Sequence, residues 1–245
     1  MWGLSPAPGL ASLIAPDTTT PTATWIDSGV THELWVIDSP DQVKAIEDAV
    51  TSAPVVIADG HHRFETSLAY RDELGASGND PAASLLAFVC ELAPDELQVG
   101  PIHRLLRGLP PDALLDALEP WFEVIESPVP STVAAMVEAE QLVLILPDRR
   151  LALRPRAAAF VGVRDLDTSR LDAALDGVEV AVTFQHGSDI AEAKVAAGEA
   201  DAAVLVRPAT VEQILDISHG GERMPPKTTF FWPKPRTGVV IRTLD

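Results

Sequence analysis

Residues 54–66 read PVVIADGHHRFET, and this stretch decides how the fold is interpreted. The apolar run 54–58 predicts a buried strand, Asp59-Gly60 predicts a turn, and a helical pattern runs from residue 61 to Leu74. The first backbone N–H groups of a helix have no partner inside it, and the macrodipole adds partial positive charge there. A strand that turns into a helix start is therefore a ready anion site, and phosphate is the simplest ligand to expect.

The side chains at this turn favour the same chemistry. Gly60 allows a positive φ and a close approach of a ligand to the backbone. Arg63 offers a rigid fork of donors that suits phosphate oxygens. Asp59 is a candidate magnesium ligand or proton acceptor, and Glu65 is either a helix-cap residue or a catalytic carboxylate. The alternative interpretation is a capped helix start with exposed histidines.

The adjacent pair His61 and His62 does not predict a zinc site. Neighbouring residues on a helix point in different directions, whereas helical zinc ligands are spaced by three or four residues. The single cysteine, Cys90, lies in the apolar run 85–92, LLAFVCEL, and is predicted to be an unreactive core residue. We therefore expect no metal ion bound by the protein's own cluster of ligands.

The loop at 59–63 is too small to be a complete site. A helix end contributes about 0.3–1 kcal/mol toward an anion and roughly 2 kcal/mol when partly buried. A charged hydrogen bond from Arg63 adds about 1.5–3 kcal/mol. Micromolar binding requires about 8 kcal/mol, so a second contact surface is needed.

The segment 221–242, GERMPPKTTFFWPKPRTGVVIR, is the candidate for that second surface. From residue 223 to residue 242 it holds five of the chain's 18 basic residues and no acidic residue. Arg223, Lys227 and Lys234 are its candidate phosphate contacts. The aromatic residues 230–232 are predicted to pack against a base or to complete the core, and both alternatives stay open. A smaller basic group, His103, Arg104 and Arg107, is predicted to lie on the surface.

Composition limits the possible partners. The formal net charge of −18 argues against non-specific binding to nucleic acid and against docking on anionic lipid. No apolar run approaches 18 residues, and residues 1–15 do not have the pattern of a secretory signal. A single cysteine fits a reducing compartment, so we expect a cytoplasmic protein whose partners are small molecules.

Strand and helix patterns alternate along the chain, which is typical of an α/β protein. Residues 1–31 predict an extended arm, 32–100 an α/β portion with the 59–63 motif, and 101–245 a second α/β portion ending in the basic, proline- and aromatic-rich segment. The last residues, TGVVIRTL at 237–244, are predicted to be strand-like. The boundary near residue 100 leaves open that both portions share one sheet.

Four segments carry a family resemblance: 58–70, 221–244, GVTHELWVID at 29–38 and PIHRLL at 101–106. Taken in their order along the chain, these segments resemble an uncharacterised bacterial and archaeal family, domain of unknown function one-zero-one-five, over nearly all of 29–245. The Asp-Gly-His-His-Arg motif is also similar to that of the archaeal ADP-dependent serine kinase in the ParB/sulfiredoxin superfamily. The resemblance implies a ParB/sulfiredoxin-like strand–helix core in which all five motif residues, 59–63, contact a nucleotide phosphate.

One departure from the family concerns the N-terminal side. Members of the family usually carry a long region before the point where this sequence begins, including a Pro-Pro-Tyr-Asp segment that this sequence lacks. The serine kinase draws a catalytic glutamate from that N-terminal part. The resemblance therefore implies either a truncated reading of a longer gene or a shortened member that has lost catalysis. Residues 1–4 are then predicted to be an internal strand left with an unpaired edge.

The functional hypothesis is a protein that binds ADP or ATP, with magnesium, at residues 59–63. As a small-molecule kinase it would phosphorylate a hydroxyl such as that of serine, with Asp59 or Glu65 as the base. The alternative is a non-catalytic nucleotide-binding or regulatory module.

Overall fold

A computed structural model describes residues 1–16, 18–126, 130, 132–222, 224–232 and 234–243. The chain forms two compact units, the first from residues 1–98 with the described residues after 233, the second from residues 99–232. Both units mix helices and strands, so the predicted α/β class is confirmed. The C-terminal residues return to the first unit, whereas the sequence analysis places all of 101–245 in one portion.

The helices and strands of the first unit are short apart from two longer helices. In chain order they are β1 (Trp2–Ser5), α1 (Leu10–Leu13), β2 (Ala23–Asp27), β3 (Val30–Leu34), α2 (Pro40–Thr51), β4 (Val56–Asp59), α3 (His61–Leu74), a 3₁₀ turn (Pro81–Ala83) and β5 (Phe88–Glu91). Strands β2 and β3 form a separate antiparallel hairpin.

The central strand of the first unit is β1. It pairs antiparallel with β4 and parallel with β5, so the three-stranded sheet has the order β4–β1–β5. Trp2 and Leu4 are buried. The predicted unpaired edge at residues 1–4 is therefore wrong, and the first residues of the predicted arm are a sheet strand. Both backbone edges of β1 are used, and its two large apolar side chains are removed from water, which stabilises this short strand.

Local sequence features stand at the start of α2 and at the end of α3. Pro40 occupies the first turn of α2, where a missing N–H costs nothing. Ser39 lies at the N-cap position but makes no side-chain cap hydrogen bond. Gly75 ends α3 in the left-handed conformation, with φ of 63°.

The second unit contains a larger sheet and its flanking helices. Its elements are β6 (Gln98–Pro101, starting at the unit boundary), β7 (His103–Arg107), α4 (Pro111–Leu118), β8 (Phe122–Ile125), α5 (Val133–Glu138), β9 (Leu142–Ile145), β10 (Arg150–Pro155), a 3₁₀ turn (Ala157–Phe160), α6 (Asp167–Ala174), β11 (Ala181–Gln185), α7 (Ser188–Ala196), β12 (Ala202–Leu205), α8 (Val211–His219) and β13 (Thr229–Trp232).

Six of these strands form one sheet in the order β11–β7–β12–β9–β10–β8. Each neighbouring pair is antiparallel. The described strands of the two units thus lie in separate sheets, which corrects the idea that both portions share one. Strands β6 and β13 form a two-stranded pair of their own.

The six-stranded sheet has a hydrophobic core on each face. Leu142 and Leu144 of β9 pack in a cluster with residues of α4 and α6. Val143 and Ile145 pack in a second cluster with residues of α5 and α7. A strand that is covered on both faces carries apolar side chains at successive positions and not at alternate ones. This explains the continuous apolar run of β9. At the end of the sheet, β11 exposes Val182 and Phe184.

Two sequence expectations are corrected in the second half of the chain. His103 and Arg104, predicted on the surface, are buried with 1% and 2% of their surface exposed. The Arg104 guanidinium donates from Nη1 to the carbonyls of Ile102 and Lys227 at 2.7 and 2.9 Å. It also lies 4.8 Å from the centre of the Phe184 ring. The described residues of the predicted strand-like end, 237–243, form turns and loop, since they have no strand partner.

In the described part of the chain, no helix combines the length and the apolar character that a membrane span requires.

Removing a core side chain from β9 should destabilise the second unit. We expect Leu144→Ala to lower the free energy of unfolding by about 2–5 kcal/mol, because Leu144 is fully buried between strand and helices. Urea unfolding followed by circular dichroism measures this. Val137→Ala, at a half-exposed position of α5, is the matched control and should cost far less. Equal losses for the two variants would contradict the described core.

The buried imidazole of His103 should make stability depend on pH. Burial, and then the neighbouring His186 and Arg104, lower the pKa of His103 from 6.5 to about 4. The unfolded imidazole takes up a proton as the pH falls below 6.5, while the folded one stays neutral until about pH 4. The folded state should therefore lose about 3 kcal/mol over this window. An NMR titration of the His103 ring should show a midpoint near 4 in the folded protein.

The control for this titration is His103→Asn. An asparagine oxygen can still accept from the Val206 N–H, which now donates to Nδ1 of His103 at 3.2 Å. The free energy of unfolding of His103→Asn should fall less steeply with decreasing pH than that of the wild type. A folded-state midpoint near the ordinary histidine value would contradict the prediction.

Candidate functional site

The turn between β4 and α3 has the geometry that the sequence predicts. Gly60 is the N-cap of α3 with φ of 91° and ψ of 27°, a left-handed conformation that a side chain would strain. The first helical hydrogen bond runs from the Phe64 N–H to the Gly60 carbonyl at 2.9 Å. Because glycine has no side chain to cap the helix, the N–H groups of residues 61–63 stay available to a ligand or to water.

The Arg63 guanidinium lies over this turn. Its Nη2 donates to Oδ2 of Asp59 at 2.8 Å. A Cβ atom placed on Gly60 would lie 3.0 Å from both Nε and Nη2 of Arg63, so the absence of that atom makes room for the guanidinium. The side chains of Arg63 and Asp59 are 63% and 56% exposed. An ion pair this exposed is worth about 0–1 kcal/mol, so an incoming anion can displace it.

The remaining motif side chains point away from that pair. The His62 side chain is fully exposed, and its Nδ1 lies 3.6 Å from Oε2 of Glu65. Glu65 follows Arg63 by two positions, and side chains with this spacing do not face each other on a helix. The structure thus pairs Asp59, at the end of β4, with Arg63 and places Glu65, within α3, beside His62. His61 is exposed at the first position of the helix.

Lys234 lies in the same unit as the β4–α3 turn, and Trp2 contacts both Lys234 and the strand that precedes the turn. The backbone of Trp2 pairs with Asp59 across β1 and β4. The Lys234 ammonium lies 5.3 Å from the centre of a Trp2 ring, which is a cation–π distance. Lys234 is predicted from the sequence as a phosphate contact, whereas Trp2 is not, because the strand expected at residues 1–4 is given an unpaired edge instead of a place beside β4.

The other proposed contacts of the C-terminal segment have different surroundings. Lys227 lies in the second unit with φ of 58°, and its carbonyl accepts from Arg104. Arg223 lies outside the described residues. Of the aromatic residues, Phe231 is buried and Trp232 is about half exposed, so the core interpretation holds for Phe231.

Two further arginines fasten the end of the chain to the first unit. Arg236 Nη1 lies 3.1 Å from Oδ2 of Asp27. Arg242 donates to the carbonyls of Ser84 and Pro81 at 2.9 and 2.6 Å. These contacts hold the segment that carries Lys234 against the unit that carries the turn.

Neither a reactive thiol nor a cluster of metal ligands is found among the described residues. Nε1 of Trp2 donates to Sγ of Cys90 at 3.3 Å, and burial raises the pKa of the thiol, which disfavours the reactive thiolate. Within the described residues, no three histidine, cysteine, aspartate or glutamate side chains are grouped to hold a metal ion. A magnesium ion at Asp59 would therefore take most of its ligands from phosphate oxygens and water, as magnesium commonly does.

Comparisons with known proteins agree with the sequence resemblance at the level of the family. Residues 3–173 match the model of a family described as "Protein of unknown function (DUF1015)". No curated protein matches.

Several solved structures are similar to this chain. A conserved hypothetical protein from Pyrococcus furiosus is 20% identical, with a TM-score of 0.45, covering 72% of this chain and 69% of that one. A free serine kinase in complex with AMP is also 20% identical, with a TM-score of 0.45 and coverages of 72% and 67%. SbnI with C-terminal truncation from Staphylococcus aureus is 14% identical, with a TM-score of 0.44 and coverages of 82% and 78%.

The matched region spans more than half of the sequence and includes both the β4–α3 turn and the first strands of the six-stranded sheet. The protein therefore belongs to the DUF1015 family.

Proposed function

We propose that the start of α3 binds the polyphosphate of ADP or ATP. The observation that carries the proposal is the exposed guanidinium of Arg63, which lies over Gly60 beside uncapped backbone N–H groups. These donors, the helix macrodipole and the guanidinium all favour an anion at one place. The similarity of residues 58–70 to the motif of the ADP-dependent serine kinase supports a nucleotide as the anion.

The ligand would have to compete with Asp59 for Arg63. The exposed ion pair holds the guanidinium by about 0–1 kcal/mol, whereas hydrogen bonds to a charged phosphate contribute about 1.5–3 kcal/mol. The exchange therefore favours phosphate. A magnesium ion bound with the nucleotide would reduce the repulsion between the phosphate and the Asp59 carboxylate.

A second cation is needed to reach micromolar affinity, and Lys234 is our candidate. The Arg63 bond and the helix start together contribute at most about 5 kcal/mol of the roughly 8 kcal/mol required. Lys234 is held by Trp2, whose backbone pairs with the strand residue next to Gly60. We propose no role for Lys227 in this site, and Arg223 keeps its sequence-based assignment as a phosphate contact. His61 and His62 would contribute through their backbone N–H groups.

The catalytic form of the proposal is a small-molecule kinase. A substrate hydroxyl, such as that of serine, would form a bond to the terminal phosphorus, and the bond from this phosphorus to the bridging oxygen would break. The nucleotide would leave as AMP from ADP, or as ADP from ATP. The hydroxyl proton would pass to Asp59, which lies beside Arg63, whereas Glu65 faces His62.

A non-catalytic nucleotide-binding or regulatory module is the second candidate. One observation favours it: each of the two motif carboxylates already has a cationic or imidazole neighbour within 4 Å. A substrate hydroxyl would have to displace that neighbour to reach the carboxylate oxygen that it faces. Such a module would bind nucleotide and be stabilised by it without turnover.

Calorimetric titration with ADP and ATP, with magnesium present, tests the binding proposal. We expect Arg63→Ala to weaken binding about tenfold to a hundredfold, because it removes a charged hydrogen bond to phosphate. The matched control is Arg71→Ala, which removes an arginine paired with Asp72 in the last turn of the same helix. Equal affinity in the wild type and Arg63→Ala, or no binding by either protein, would refute the proposal.

Phosphoryl transfer to serine and other small hydroxylated metabolites tests the catalytic form. We expect AMP to form from ADP only in the presence of an acceptor, and Asp59→Asn to abolish this turnover. The same variant frees Arg63 from its carboxylate, so it should bind ADP at least as tightly as the wild type. Glu65→Gln is the control and should keep its turnover. Binding of ADP without any turnover would favour the regulatory module.

A further inference from the structure

A cavity of about 560 Å³ lies in the second unit, far in sequence from the β4–α3 turn. It is bordered by the starts of α6 and α8 and by the end of β10, and part of its wall is apolar, including Phe160 and Val163. Small-molecule sites in proteins have this range of volume and combine apolar walls with a few polar groups. The polar groups of this cavity therefore decide what it can hold.

A buried carboxylate organises the polar side. The side chain of Asp167, the first residue of α6, is only 4% exposed. Its Oδ2 accepts from the backbone N–H and from Nε of Arg207 at 2.9 and 2.8 Å, and its Oδ1 accepts from Nη2 of Arg207 at 2.6 Å. Nη1 of Arg170 lies 3.5 Å from the same Oδ1. Nη2 of Arg170 also donates to Oδ1 of Asp165 at 2.5 Å. Asp167 thus positions the Arg207 guanidinium alone and shares that of Arg170 with Asp165.

The guanidinium of Arg207 has donors left after this pairing. Asp167 occupies its Nε–Nη2 edge, and among the described residues no hydrogen-bond acceptor lies on Nη1. The guanidinium lines the cavity, and it stays charged because the hydrogen bonds that it donates to Asp167 raise its pKa. An arginine fixed along one edge and open along another is arranged to receive a carboxylate or phosphate with little loss of side-chain entropy.

A purely stabilising role explains this arrangement less well. A buried ion pair seldom stabilises a fold more than apolar residues of the same volume would, because both charges must be desolvated. Here the paired groups also line a cavity instead of filling it. The cost of burying them is offset if the cavity receives a ligand that uses the remaining donors.

The charges around the cavity also limit the ligand. Its lining contains three arginines, including Arg154, and three carboxylates, including Asp165 and Glu140 near the outside. Equal numbers of the two signs do not favour a polyphosphate. An anion would be attracted only by the guanidinium groups that it reaches directly, Arg207 and Arg170, which suits a small ion with one or two negative charges.

We propose that this cavity binds a small organic anion through Nη1 of Arg207 and the neighbouring guanidinium of Arg170. The recognised group is a carboxylate or a phosphate monoester, and the organic part packs against Phe160 and Val163. The hydroxyl groups of Thr168 and Thr228, 3.1 Å apart at the cavity wall, add hydrogen-bonding partners. This site is independent of nucleotide binding at α3.

NMR of the ¹⁵N-labelled full chain tests the proposal with three probes: inorganic phosphate, glycerol 2-phosphate and succinate. We expect at least one probe to cause saturable shifts of the backbone amides of residues 167–170 and 207. Phosphate and succinate distinguish the two anion classes, and a stronger response to glycerol 2-phosphate than to phosphate would support packing of the organic part.

Variants make the test specific. Arg207→Gln should weaken binding of the effective probe at least tenfold. Arg170→Gln is the second test variant, because it keeps the Asp167–Arg207 pair and can be used if Arg207→Gln does not fold. It should weaken binding of the same probe severalfold. Arg150→Gln is the control, because this arginine pairs with Glu192 away from the cavity and should bind like the wild type. No saturable shift with any probe, or equal affinity in the wild type and both cavity variants, would overturn the proposal.

Discussion

The first unit depends on the pairing of β1 with its two neighbours. β4 and β5 do not pair with each other; both are joined through Trp2–Ser5. The β4 backbone in turn fixes Asp59 and the left-handed Gly60, and so sets the direction in which α3 starts. The geometry of the candidate phosphate site is therefore a consequence of hydrogen bonds made by four residues at the beginning of the chain.

Two aspartate–arginine pairs in this protein show how burial changes the role of the same chemistry. Asp59 and Arg63 meet near the surface, where water screens their attraction and either partner can be drawn away. Asp167 and Arg207 meet where little water reaches, with several hydrogen bonds fixing one geometry. The first pair suits a site that must rearrange when a ligand arrives, and the second suits a site whose shape exists beforehand.

Local signals were enough to predict the elements around the 59–63 motif. The apolar run before Asp59, the glycine at the turn and Gly75 at the end of α3 are all short-range features, and the structure contains a strand, a turn and a helix at these places. The His62–Glu65 contact has the i, i+3 spacing of neighbours on a helix surface and could have been anticipated from the sequence. The contact of Asp59 with Arg63 could not, because Asp59 is the last residue of β4 and reaches the guanidinium across the turn at Gly60.

The failures of sequence reasoning involve partners distant along the chain. Residues 1–4 are predicted from the sequence to be a strand with an unpaired edge, but β1 pairs on both sides, with β4 and β5, whose residues lie far along the chain. Arg104 looks like a surface cation until the carbonyl of Lys227 and the ring of Phe184 surround it. The cavity near Asp167 escaped notice for the same reason, since Asp167, Arg207 and Thr228 carry no common motif.

The order of strands has a consequence for biosynthesis. β12 lies in the middle of the six-stranded sheet, between β7 and β9, yet it follows both in the chain. Until Ala202 and the residues after it have been synthesised, β7 and β9 each lack the neighbour that pairs with their backbone N–H and C=O groups. The six-stranded sheet therefore cannot form completely until β12 has been synthesised, and the first unit receives the segment that carries Arg236 and Arg242 later still. Chaperone protection during translation would matter most in that interval.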